Sequence, residues 1–272
     1  MGVDYMKFKQ AARESFEAGD YAPMAERLAG AAEELVAACA AGPGVHVLDV
    51  GAGTGNAAVA AARAGARATA ADLTPAMVRA GRERTTAQGL PVEWDEADIE
   101  DLPYEPATFD QVLAVFAANF APRPRAAAEE MLRVLRPGGV LGLANWTPTG
   151  FAASMSRALA DLGPAPEACD DFSSPFLWGD EAELKALLGP SAEPVRLERR
   201  GLVWHYPSAE ALWEEFERNG GPAAARETMP EREYARIREA ALAVVAEHAE
   251  PAADGGMAVT NEYLLAVFRR TG

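Results

Sequence analysis

The stretch Val47-Leu48-Asp49-Val50-Gly51-Ala52-Gly53-Thr54-Gly55-Asn56 decides the reading of this chain. It opens as a short apolar run that follows turn residues, the pattern of a buried parallel strand. It closes in glycines that lead into a helix from Ala57 to Ala64. Glycine lets the backbone turn sharply and approach a ligand without a Cβ in the way. A dinucleotide fingerprint, GxGxxG, would place its third glycine at position 56. Asn56 stands there, and the glycines fall at 51, 53 and 55. Asp49, two residues before the first glycine, is at odds with a bound pyrophosphate, because a carboxylate repels phosphate. It suits a ligand that carries an ammonium and a sulfonium.

Outward from this loop the pattern alternates strand and helix. Ala66–Ala71 reads as a second strand ending at Asp72, Val92–Ala97 as a third ending at Asp98, Phe109–Val115 as a fourth, and Val140–Asn145 as a fifth. Helices are expected at Pro75–Gln88 and Arg125–Leu135, the latter closed by Pro137-Gly138-Gly139. This order predicts an α/β domain of Rossmann-like type, a seven-stranded, mostly parallel sheet with helices on both faces. In such sheets ligands sit beyond the carboxyl ends of the strands, where strand order reverses. Asp72 falls about twenty residues after the loop begins, where a carboxylate can accept both hydroxyls of a ribose. Asp98 is placed to accept from an adenine amino group.

Before the core, residues 1–41 read as a helical cap, with helices at 5–18 and Pro23–Ala41. After it, 151–272 reads as a substrate side, with helices at Phe151–Leu162 and Asp180–Leu188 and a strand at Val195–Tyr206. A helical insertion over 208–250 then precedes a last strand at Glu262–Phe268. The whole is expected to be one domain over 1–272, with 42–150 as the ligand-binding core.

Composition sets limits. A hydrophobic share of 49% allows a real core. A net charge of −16 argues against nucleic acid, whose binding needs clustered Lys and Arg. No apolar window is long enough to span a membrane, and the charged N-terminus lacks the apolar core of a signal peptide. Cys39 and Cys169 have no metal-ligand spacing and read as free thiols in a reducing cytoplasm, so no metal is expected. A homodimer fits such a chain as well as a monomer does.

The segments VLDVGAGTGN (47–56), ATAADLTPAMV (68–78), EADIEDLPY (96–104), FDQVLAV (109–115) and EMLRVLRPGGVLGLANW (130–146) resemble the class I S-adenosylmethionine (SAM)-dependent methyltransferases, of the small-molecule type found in quinone and secondary-metabolite biosynthesis. GDY (19–21), NWTPTGF (145–151) and FLWG (176–179) are similar to a bacterial subgroup. The resemblance implies SAM as cofactor and S-adenosylhomocysteine (SAH) as product. It implies that Asp49, Gly51, Ala52 and Gly53 line the methionine part, with Asn56 at the loop's end. Asp72 would hold the ribose, and Leu73, Met77, Asp98 and Ile99 would frame the adenine. Val115 and Phe116 would face the methionine portion or the transferred methyl, and Tyr21 would close over the cofactor. The fourth strand runs into VFAANF (115–120), not the Asn/Asp-Pro-Pro-aromatic motif of DNA methyltransferases, which disfavours a nucleobase acceptor.

A methyl on a sulfonium is inherently transferable, so alignment and exclusion of water come first. A general base is needed only where the acceptor loses a proton. His205, within Trp204-His205-Tyr206, is the base candidate, by its pKa range. His46 and His248 read as structural, and Arg199-Arg200 and Arg269-Arg270 as solvated surface. Asn119, Phe120, Trp146, Phe151, Phe176, Trp178, Trp213 and Phe216 are candidates to line an apolar acceptor pocket for a small, partly hydrophobic metabolite methylated on oxygen or carbon. Three rival readings remain: a cyclase-like enzyme on the same cofactor site, a non-catalytic SAM-binding subunit, and an NAD-dependent oxidoreductase. The glycine spacing and the lack of a Tyr-x-x-x-Lys pair weigh against the last.

Overall fold

The computed structural model describes residues 5–17, 21–160, 174, 176–218, 226, 229–253 and 255–272. Cys169 lies outside them, as do Gly19 and Asp20. Two helices come first, α1 (Tyr5–Glu17) and α2 (Ala22–Ala38). The core follows as β1 (His46–Val50), α3 (Asn56–Arg63), β2 (Arg67–Asp72), α4 (Pro75–Ala87), β3 (Val92–Glu96), β4 (Phe109–Val115), α5 (Pro124–Val134) and β5 (Leu135–Trp146). Next come α6 (Phe151–Ala160), α7 (Glu181–Leu188) and β6 (Ala192–Tyr206). The insertion holds α8 (Ala209–Phe216), α9 (Glu231–His248) and β7 (Ala249–Pro251), and β8 (Met257–Arg270) ends the fold.

The sheet runs β3-β2-β1-β4-β5-β8-β6. The pairs among β1 to β5 are parallel. β8 is antiparallel to both β5 and β6. Strand order reverses at β1, between β2 and β4, so the glycine loop leaves the sheet at the switch point where α/β folds bind ligands.

Among the described residues the sheet has eight strands rather than the expected seven. The extra one, β7, pairs with Met257–Val259 of β8, on the edge that β5 occupies further along. Pro137-Gly138-Gly139 does not precede β5 but lies inside it. Phe109 pairs with Leu135 and Gln111 with Val140, so the pairing bulges around the two glycines. Gly139 is needed there, because a Cβ would sit 2.9 Å from the Asp110 carbonyl oxygen.

Two apolar layers cover the sheet. On one face α2, α3, α6, α8 and α9 pack through Leu35, Ala58, Phe151, Trp213 and Val245. On the other, α5, α7 and the 3-10 turn at Leu177–Gly179 pack through Met131, Leu184 and Trp178. Local chemistry sets the helix starts. Asp180 accepts the Ala182 and Glu183 N–H groups, Ser208 accepts that of Ala211, and Pro75 and Pro124 stand in first turns where no N–H is needed.

Candidate active site

Alternate residues of the loop after β1 adopt left-handed backbone: Gly51 at φ +60°, Gly53 at +56° and Gly55 at +87°. A side chain at any of them is strained. A Cβ at Gly51 would lie 2.4 Å from Ala117 Cβ, and one at Gly55 would lie 2.8 Å from the Trp94 ring. The loop therefore winds tightly between the turn after β4 and Trp94 of β3, which explains the 51-53-55 spacing.

Two buried carboxylates hold this loop from beneath. Asp49 accepts the Ala58 N–H at 2.8 Å, in the first turn of α3. Asp72 accepts the Gly53 N–H through one oxygen and the Thr74 N–H through the other, both at 2.8 Å. A carboxylate offers about four acceptor positions, so both groups keep capacity for a ligand. Burial raises the Asp49 pKa to about 7, with a further push from the Asp72 charge, against the Ala58 hydrogen bond. Burial raises that of Asp72 as well, opposed by the Thr74 and Gly53 N–H groups. Such a pair favours a cationic guest, which would relieve both. The acceptor set thus fits a ligand with hydroxyls and positive charge.

Tyr21 covers the loop. Its ring lies 3.2 Å from where a Gly53 Cβ would stand, and burial followed by the Asp72 and Asp49 charges pushes its pKa up to about 12. A cavity of about 20 Å³ is left among Tyr21, Asp49, Gly51, Ala52, Asn56 and Val115. Ligand pockets typically run to roughly 300–1,000 Å³, so a nucleoside-sized guest needs the Tyr21 ring displaced. Phe16 of α1 sits edge-on to Tyr21 and to Phe120, with centroids 5.9 and 5.3 Å apart.

The adenine-side residues are dispersed differently from the sequence expectation. Leu73 follows β2, and Met77 is buried in α4. β3 ends at Glu96, not at Asp98. Asp98 lies in the bend beyond it, where one oxygen accepts the Glu100 N–H and the other meets Lys9 Nζ at 2.5 Å. Lys9 also reaches Glu100 at 2.5 Å, and Arg123 pairs with Glu100 from the opposite side. Ile99 beside it is half-buried. Asn56 lines the cavity, but its amide donates to the Ala25 carbonyl and accepts from Arg84, so it ties α3 to α2 and α4.

The acceptor-side aromatics separate into groups. Phe116, at φ +53°, stacks on Trp146 with centroids 3.8 Å apart, and Trp146 meets Trp204 edge-on at 6.1 Å. A bulky residue in left-handed backbone is rare and marks functional sites. Phe151, Trp213 and Phe216 pack on this same sheet face. Trp178 is buried on the opposite face. Asn119 and Phe120 lie on the short turn after β4, where Phe120 is exposed.

His205 is not brought to the site. Strand alternation buries Trp204 and Tyr206 and turns His205 outward to solvent. His46 bonds to Thr69 inside the sheet, and His248 pairs with Ser154 Oγ at 3.0 Å, joining α9 to α6. Residues that sequence reasoning passed over hold the insertion down. Arg27 of α2 makes two 2.7 Å bonds to Glu215 of α8 and lies over the Tyr206 and Trp204 rings. Nothing local signals such a pairing across 188 positions.

A methyltransferase-domain family model matches residues 48–143, the span from β1 to β5. An uncharacterized protein of Mycobacterium tuberculosis is 41% identical over 207 residues, 75% of this chain and 74% of that one. A ubiquinone biosynthesis O-methyltransferase of Xanthomonas campestris is 36% identical over 174 residues, 60% of this chain and 73% of that one. A putative methyltransferase from Bacillus halodurans shares the fold at a TM-score of 0.63 and 21% identity, covering 89% of this chain and 99% of that one. With the glycine loop, its two acids and the reversing sheet already in place, these matches make the chain a member of the class I SAM-dependent methyltransferases, with SAM as its cofactor.

Proposed function

We propose that this protein transfers a methyl group from SAM to an oxygen or carbon atom of a small, partly hydrophobic metabolite. The observation that carries the reading is the continuity of two surfaces. Val115 lines the cavity beside Asp49 and Gly51, and Phe116, the next residue, opens an aromatic wall through Trp146 to Trp204. The O-methyltransferase of Xanthomonas campestris supports an oxygen acceptor.

SAM, when bound, supplies an electrophilic methyl on a sulfonium. In the proposed roles Asp72 accepts from the ribose hydroxyls, and Asp49, ionised, balances the cationic end of the cofactor. The left-handed glycines bring backbone against it with no side chain intervening. Leu73, Met77 and Ile99 would bracket the adenine, with Asp98 accepting from its amino group once Lys9 releases it. Phe116 and Trp146 would hold the acceptor, and Tyr21 and α1 would close the site against water. This chain is proposed to work by alignment and desolvation, without His205 as a base.

The test is incubation with isotopically labelled SAM and a fractionated extract of small metabolites. Labelled methyl should appear in an organic-extractable product, with SAH formed in equal amount. Rearrangement of an acceptor into a product that carries no label, with no SAH formed, would favour cyclase-like chemistry instead.

A further inference from the structure

Among the described residues, two buried polar groups next to the aromatic wall have no hydrogen-bond partner. Asn261 on β8 is fully buried, and neither its amide oxygen nor its amide nitrogen meets a hydrogen-bonding group. The indole Nε1 of Trp204 on β6 is buried and equally unpaired. Native structures rarely leave such groups unsatisfied, and the exceptions ask for a cause.

The two belong to one patch. β6 and β8 pair Leu202 with Asn261 and Trp204 with Val259. Asn261 and Trp204 are therefore diagonal neighbours on one face of an antiparallel pair, within side-chain reach. Val259 and Tyr263, two residues either side of Asn261, pack in the layer that holds Phe116, Phe151 and Trp213. Trp204 meets Trp146, which stacks on Phe116. The patch lies where β5 runs out: Trp146 pairs with Tyr263, and the Thr147 N–H reaches the Glu262 carbonyl. The unpaired groups thus continue, on the same face, the wall that begins at the cofactor cavity.

We propose that Asn261 and the Trp204 indole N–H form the polar end of the acceptor site, and that it takes a flat, uncharged ring bearing hydroxyl groups. This rests on the reading of Phe116 and Trp146 as acceptor contacts. The chemistry follows from the donor inventory. An indole N–H only donates, and an amide both donates and accepts. The matching ligand must offer an oxygen acceptor and an O–H donor, and a ring hydroxyl supplies both. The stacked Phe116 and Trp146 rings favour a planar unsaturated body. Charge is not called for, because the Arg27 guanidinium over Trp204 is already neutralised by its two bonds to Glu215.

The test uses enzyme saturated with SAH, with 2,3-dihydroxynaphthalene and naphthalene as probes in calorimetry. The dihydroxy ring should bind the wild type. Asn261→Leu should weaken it at least tenfold while leaving naphthalene and SAH binding unchanged. Its melting temperature should stay level or rise, since an unpaired buried amide is removed. Trp204→Phe should weaken the dihydroxy ring as well, and it stands in should the Asn261 variant fail to fold. Equal binding of the dihydroxy ring to wild type and variants overturns the proposal. So does its failure to bind a wild type that has bound SAH, which leaves the cofactor reading intact. Failure to bind SAH itself removes both.

Discussion

Asp49 is the side chain through which the proposed cofactor site would couple to pH. Its pKa in the fold, about 7, lies above its ordinary value of 3.8. Between those values the folded chain holds a proton that the unfolded chain has lost, so this group's contribution to stability falls as pH rises from 4 to 7. A cation beside it reverses the preference, because positive charge favours the carboxylate. Binding should therefore expel a proton. SAM affinity should rise by up to about tenfold per pH unit below pH 7 and level off above it. Calorimetry at pH 6.5 in two buffers of different ionisation enthalpy should show proton release, and Asp49→Asn should abolish it. A pH-independent affinity would take Asp49 away from the cationic end. At this scale the geometry was legible from spacing: the 51-53-55 glycines form the tight loop after β1, and the acids at 49 and 72 hold it. His205 was misplaced because its residue type outweighed the strand's alternation, which turns Trp204 and Tyr206 inward. Asn261 sits between Thr260 and Glu262, an ordinary polar stretch in the sequence, and only the fold shows that it is buried and unpaired.

At the scale of elements, β1, β4 and β5 were readable as apolar runs, and β2 and β3 by their place between helices and turns. Two features were not. The Pro137-Gly138-Gly139 signal normally ends a helix, yet pairing with β4 draws it into β5 as a bulge. The three residues of β7 are too few for any periodicity and exist through their partner β8. The same holds for the grip of α1 on the core, made by Lys9 on Asp98 and Glu100 across roughly ninety residues of chain. Lys9 pairs with the carboxylate proposed for adenine, so this contact should loosen as the cofactor enters. Lys9→Met should raise amide exchange in residues 5–17 and speed SAH association several-fold, while β1, β4 and β5 stay protected. With SAH bound, exchange in 5–17 and in α8 should fall below that of the free enzyme. Unchanged exchange in both segments would mean that they are not lids.

For the molecule as a whole, topology gathers the site from distant parts of the chain. The reversal at β1 opens the crevice, Tyr21 covers its loop, and the Arg27–Glu215 pair ties the insertion before β8 to α2. A net charge of −16 sits well with a cationic cofactor and poorly with a polyanionic acceptor. The central claim is that this crevice binds SAM through the loop after β1 and the acid at the end of β2. Titration calorimetry of the purified protein with SAM and with NADH tests it most directly. SAM should bind at about micromolar Kd and raise the melting temperature. Asp72→Ala should weaken it by about 2–3 kcal/mol, the scale for losing charged hydrogen bonds to buried hydroxyls, with the fold retained. NADH should not bind. Binding of NADH without SAM, or a SAM affinity indifferent to Asp72→Ala, would contradict the account.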